Sequence, residues 1–155
     1  MFQTRAVLEG DHWVINGEKW FSSNARWSEF LIVMVVTDPD APPYQRMSML
    51  LVPTNTPGVN IVRNVGLGYE PPEHGAHAYI RYENVRVPKE NMLGPRGGAF
   101  VVAQTRLGGG RIHHAMRTIG LARRAFEMMC ERAISRTTQG ELLAKKQMTQ
   151  EKIAD

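Results

Sequence analysis

Apolar and polar positions change their period once along this chain, close to residue 98. Before that point, short β-prone runs alternate with turn signals. Residues 3–8 and 12–15 flank Glu9-Gly10-Asp11, a pattern that predicts a hairpin. Asn16-Gly17 predicts a second turn, feeding a run over 19–23. Residues 30–37 are rich in β-branched side chains and stop at Asp38-Pro39-Asp40, where proline and Asx chemistry favour a loop. Two further runs, 47–52 and 59–65, are separated by Thr54-Asn55-Thr56-Pro57-Gly58. Ala76, Ala78, Ile80 and Tyr82 then alternate with His77, Tyr79, Arg81 and Glu83. Short strands at this spacing predict an antiparallel β-barrel or sandwich.

After Gly98 the period lengthens. Ile112, Ala115, Ile119, Ala122, Phe126, Met129 and Ala133 recur in steps of three and four, which places them on one stripe of a long helix. Arg117, Arg124, Glu127 and Glu131 fall off that stripe. Gly108-Gly109-Gly110 suits a helix interior poorly, each glycine costing about 1 kcal/mol relative to alanine. The pattern therefore predicts a short helix over 99–107, a break, and a long helix from Arg111 to about Arg136. A second helical pattern runs to Asp155. The fold class is α+β: a β-domain over 1–93, then the first long helices of an all-α bundle over 94–155. One helix and a stub cannot bury an apolar stripe alone. The chain is thus expected to be part of a longer protein or to pack on another chain.

Composition narrows the function classes only a little. Of 155 residues 43% are hydrophobic and 22% charged, ordinary for a soluble domain. The longest apolar runs are too short to span a bilayer, and no signal-peptide pattern opens the chain, so neither membrane insertion nor secretion is expected. The single cysteine, Cys130, leaves no internal disulfide framework and suits a reducing compartment. The formal charge of +4 comes from scattered residues, which argues against nucleic-acid binding. His74, His77, His113 and His114 lack a metal-site pattern with further ligands nearby, so they read as solvated or hydrogen-bonded histidines and no metal is expected. Gly66-x-Gly68 meets Pro71 where a third glycine would stand, which rules out a dinucleotide fingerprint.

Four stretches, in order, carry a resemblance. Val14-Ile15-Asn16-Gly17-Glu18-Lys19-Trp20-Phe21-Ser22-Ser23-Asn24 is the first. Tyr82-Glu83-Asn84-Val85-Arg86-Val87-Pro88, followed by Asn91-Met92-Leu93-Gly94, is the second. Arg111 with Gly120-Leu121-Ala122 is the third, and Arg136-Thr137-Thr138-Gln139-Gly140 with Leu143, Gln147 and Ile153-Ala154-Asp155 the fourth. Together they resemble the acyl-CoA dehydrogenase superfamily over essentially the whole chain. Tyr69, His74-Gly75 and Gly110-Arg111-Ile112-His113-His114 further resemble a subgroup in which a kinase-like domain can precede the dehydrogenase.

The resemblance implies FAD as cofactor, an acyl-CoA substrate, and α,β-dehydrogenation with hydride passing to flavin N5. On that map Phe21 packs against the isoalloxazine, with Ser22 beside it, and Ser23 hydrogen-bonds near N5 and O4. Arg136 reaches the pyrophosphate across a subunit interface, which suits a guanidinium fork. Gln147 is either structural or close to the dinucleotide, and Arg111 stands near the substrate end. Read without the resemblance, Phe21 is a strand aromatic, Ser23 a turn hydroxyl and Arg136 a helix-terminal arginine. Gln139 departs from the phenylalanine common at its position. Some members carry their catalytic glutamate one residue before the arginine matched by Arg111; here that residue is Gly110. The usual base is expected downstream of Asp155, so no catalytic residue is assigned within the chain, which is expected to be inactive alone.

The implied setting is fatty-acid β-oxidation in a homodimer or homotetramer that passes electrons to an electron-transfer flavoprotein. The compartment is cytoplasmic if the source is bacterial, and otherwise mitochondrial or peroxisomal. Two other readings stay open: an acyl-CoA oxidase or other oxygen-reactive flavoenzyme of the same fold, and a non-catalytic β-barrel binding or scaffold module.

Overall fold

The computed structural model describes residues 2–155, which form two compact units divided between Thr105 and Arg106. The first unit is built on one open sheet. Its strands are β1 (Arg5–Glu9), β2 (His12–Ser23), β3 (Phe30–Val36), β4 (Met47–Pro53), β5 (Val59–Val65), β6 (His77–Pro88) and β7 (Met92–Leu93), in the spatial order β5-β6-β2-β1-β3-β4-β7. The expected β-domain followed by helices is therefore present. Pairing is antiparallel throughout except where β1 meets β3 in parallel at Arg5 and Val36, so the sheet is mixed.

Alternation sets the core. Ile15 on β2, Val33 and Val35 on β3, Leu50 and Val52 on β4, and Ile80 and Val85 on β6 are almost fully buried. The apolar phase of β6 slips between Tyr82 and Val85 because Glu83 and Asn84 together oppose Asn16 in a β-bulge. This corrects the expected turn at Asn16-Gly17, which instead lies inside a continuous 12-residue strand. Asn16 spends its side chain across the strands. Its Oδ1 accepts from the Asn84 backbone N–H at 2.8 Å, and its Nδ2 donates to Asn84 Oδ1 at 3.1 Å. Gly17 is held at φ +136°, where a Cβ would come within 2.6 Å of Thr4 Cα.

A polar clamp ties the loop after β3 to the segment before the first helix. Arg96 donates to both carboxylate oxygens of Asp38, at 2.7 and 2.9 Å, and lies over the Trp13 ring at 5.5 Å. Thr37 joins Asp38 to Ser48, whose Oγ accepts from the Gly97 N–H at 2.9 Å. The Arg96 hydrogen bond holds the Asp38 carboxyl below the usual aspartate range, with Thr37 assisting and partial burial opposing. A depressed folded value contributes stability that is present above the unfolded aspartate pKa, about 3.9. That stability is lost as pH falls through the folded value. Asp38→Asn should therefore lower the urea midpoint near pH 7 and converge with the parent protein in strong acid. Parallel urea curves with a constant gap across that range would show that the clamp is not the titrating element.

The helix α1 (Ala99–Ser135) runs 37 residues without interruption, so the break expected at Gly108-Gly109-Gly110 does not occur. Glycine makes helix costlier but does not forbid it, and good helix formers flank the run on both sides. Within the second unit, Ile112 and Ile119 on the predicted stripe are 66% and 68% exposed, whereas Ala133 is buried. Beyond α1 a short hairpin pairs β8 (Thr137–Thr138) with β9 (Glu141–Leu142). Gln139 and Gly140 fill its two-residue turn at φ 52° and 82°, the positive pair that a tight hairpin turn favours. The helix α2 (Gln147–Ala154) follows.

Candidate functional site

A second irregularity in β2 builds the site. Lys19 pairs with Ile80 and Ser22 with Ala78, so Trp20 and Phe21 together oppose Tyr79 alone. Phe21 takes φ 59°, the left-handed region that a bulky side chain rarely enters. Such backbone costs about 1–3 kcal/mol and persists where the surroundings enforce it, often at functional sites. Here the bulge turns the Phe21 ring out, leaving it 49% exposed. Trp20 meets it edge-on at 5.8 Å and the His77 imidazole does so at 6.0 Å. Asn24, also left-handed, donates its N–H to the Ala76 carbonyl and leads into a 3-10 turn over Ala25–Trp27 that anchors on buried Ala25.

Ser22 and Ser23 open onto a cleft of about 410 Å³ that also touches Lys19, Leu31, Val33 and Tyr82. Ser23 Oγ lies 3.0 Å from His77 Nδ1, directly across the β2–β6 ladder. Burial lowers the Lys19 pKa and raises that of Tyr82. The Lys19 ammonium lies 5.2 Å from the Phe2 ring centroid. A wider cleft of about 580 Å³, between Asp38, Tyr44, Arg96 and Phe100, sits on the Asp38–Arg96 clamp. Its charged groups are already spent on each other, so it offers less free chemistry than the cleft at Ser22 and Ser23.

Phe21, Ser22 and Ser23 are thus brought together on one bulged segment. Arg111, Arg136 and Gln147 all belong to the second unit. Arg111 lies on α1, immediately after the glycine run. Arg136 is the first residue past α1; its backbone N–H donates to the Arg132 carbonyl, its own carbonyl accepts from Leu143, and its side chain is exposed. Gln147 opens α2 and is exposed as well. Sequence reasoning missed His77 as a partner of Ser23 and Lys19 as a residue lining the same cleft. The alternation of β6 placed His77 in the polar phase, but its pairing with Ser23 depends on the extra residue in β2. Among the described residues, no three His, Cys, Asp or Glu side chains converge as a metal site would require.

An exposed aromatic on a kinked strand, with a hydroxyl two residues on and an open cleft beside it, suits a flat ring that needs one face packed and one edge hydrogen-bonded. Comparison with known proteins bears on which ring. The family model described as acyl-CoA dehydrogenase, middle domain, matches residues 1–85, and that described as acyl-CoA dehydrogenase, C-terminal domain, matches 97–155. The chain is 46% identical over 154 residues to a Mycobacterium tuberculosis protein named "Probable acyl-CoA dehydrogenase FadE2", covering 98% of this chain and 38% of that one. It is 46% identical over 130 residues to the human "Acyl-CoA dehydrogenase family member 11", covering 81% and 17%. Among solved structures, the complex of glutaryl-coenzyme A dehydrogenase with glutaryl-CoA superposes with a TM-score of 0.77 at 30% identity, covering 98% of this chain and 38% of that one. The chain thus spans well under half the length of these relatives.

Proposed function

This chain belongs to the acyl-CoA dehydrogenase family, and we propose that it supplies one wall of an FAD site in an enzyme that dehydrogenates an acyl-CoA thioester. The observation that carries this reading is Phe21, held outward in a left-handed bulge with Ser23 two residues on. FAD, when bound, supplies the hydride acceptor. Phe21 offers its exposed ring as a packing surface, and Ser23 offers a hydroxyl to the ring edge. Arg136 carries an exposed guanidinium suited to a pyrophosphate, with Gln147 nearby in sequence. Arg111 serves the substrate end. The glutaryl-CoA complex among the similar structures supports a CoA thioester as substrate class. Electron transfer to a flavoprotein acceptor and a homo-oligomeric assembly complete the proposal.

Ser23→Ala in the flavin-loaded full-length protein tests the assignment. A neutral hydrogen bond contributes about 1 kcal/mol net, close to fivefold in rate. Charge grows on the ring as it is reduced, so the bond strengthens toward the transition state. Single-turnover flavin reduction should slow about fivefold, substrate affinity should change less, and the flavin potential should fall. A folded, flavin-loaded variant with potential and rate unchanged would make Ser23 a turn residue only.

A further inference from the structure

We propose that His77 is a positioning residue for this site: its Nδ1 holds a proton, donates it to Ser23 Oγ, and so leaves the Ser23 hydroxyl proton free to point at the cofactor. The inference rests on the flavin-site reading of Phe21 and Ser23. It begins with register. Had β2 carried no extra residue between Lys19 and Ser22, the Lys19–Ile80 pairing would continue to place Ser22, not Ser23, opposite His77. The bulge that turns Phe21 outward is therefore the same feature that delivers Ser23 to His77. One imidazole then meets both residues, the Phe21 ring edge-on at 6.0 Å and the Ser23 oxygen at 3.0 Å.

Proton bookkeeping gives His77 its role. A serine hydroxyl has one proton and two lone pairs. If Nδ1 carries a lone pair, Ser23 must donate to it, and only oxygen lone pairs remain for the cofactor's electron-rich edge. If Nδ1 carries the proton, Ser23 accepts from His77 and its own proton is free to donate. The two states differ only in which ring nitrogen is protonated, and the neighbours of each nitrogen decide that. The neutral Nδ1–H tautomer suffices, so no charge on the imidazole is required.

The test uses the flavin-loaded full-length protein and its midpoint potential. His77→Phe keeps a ring beside Phe21 and removes the hydrogen bond. It should lower the potential and slow single-turnover flavin reduction by up to about fivefold, with substrate affinity little changed. His77→Asn, whose amide N–H falls near the place of Nδ1, should recover most of both. In a Ser23→Ala background, His77→Phe should add nothing further, because its effect passes through that hydroxyl. Independent, additive losses from the two substitutions would overturn the proposal, as would an unchanged potential in flavin-loaded His77→Phe. Nitrogen-15 NMR of the His77 ring in the unsubstituted protein reads the proton directly, even if the variants fold poorly. A protonated Nδ1 supports the proposal and a lone pair there overturns it. If the unsubstituted full-length protein binds no flavin, the cofactor reading itself fails, and that is seen before any His77 variant is made.

Discussion

Purified alone, the 155-residue chain is expected to oxidise acyl-CoA esters at least about a hundredfold more slowly than the flavin-loaded full-length protein, because a positioned carboxylate base typically contributes about two to four orders of magnitude. Gly110, inside α1, stands where some relatives are expected to carry that carboxylate, and a glycine can neither take nor hold a proton. On the proposed reading, the exposed Phe21 ring and the open cleft beside Ser22 and Ser23 would also leave water against a flavin held by this chain alone, which weakens every electrostatic contribution made there. An acceptor-linked dye assay with a panel of acyl-CoA chain lengths measures this. Turnover by the purified chain comparable to that of the full-length protein would place a catalytic base within residues 1–155 and overturn the expectation that it lies elsewhere.

What the sequence made legible follows from where side-chain period alone fixes structure. The alternation at Ala78, Ile80 and Tyr82 identified a half-buried strand, and those three residues are indeed buried on β6. The three-four stripe from Ile112 to Ala133 identified a helix for the same reason, since a period of 3.6 fits no strand. Asn16-Gly17 misled because the dipeptide favours a turn only when its side chain and backbone have no better partner. Here Asn84, itself at φ 52°, supplies that partner from a strand almost seventy positions away. The glycine run misled in the opposite direction. Its cost of about 1 kcal/mol per residue is local, whereas helix continuation draws on every turn to either side. For the candidate site, the motif singled out Phe21 and Ser23, but the bulge that orients them is a register effect between β2 and β6. No pattern within one strand reports it, and His77 was invisible as a partner for that reason.

Phe21→Gly is expected to separate folding from function. Glycine occupies the left-handed region without the clash that costs other residues about 1–2 kcal/mol. Against that relief stand its greater freedom when unfolded, about 0.5–1 kcal/mol, and the lost edge contacts with Trp20 and His77. The terms nearly cancel, so the unfolding free energy should stay within about 1 kcal/mol of the parent protein. A core phenylalanine would instead cost about 3–5 kcal/mol on truncation. A loss of that size, read from urea or thermal unfolding, would mean that Phe21 is held outward by packing and not for a ligand.

The central claim is that the bulged segment from Phe21 to Ser23 holds one face and one edge of the flavin, and flavin titration of the full-length protein tests it most directly. Stacking on an aromatic side chain contributes about 1–3 kcal/mol per ring, so removing the Phe21 ring should weaken FAD binding roughly fivefold to a hundredfold. The account predicts saturable binding with quenched flavin fluorescence in the parent protein, and that loss of affinity in Phe21→Gly at unchanged fold stability. Equal FAD affinity in the two proteins would contradict it.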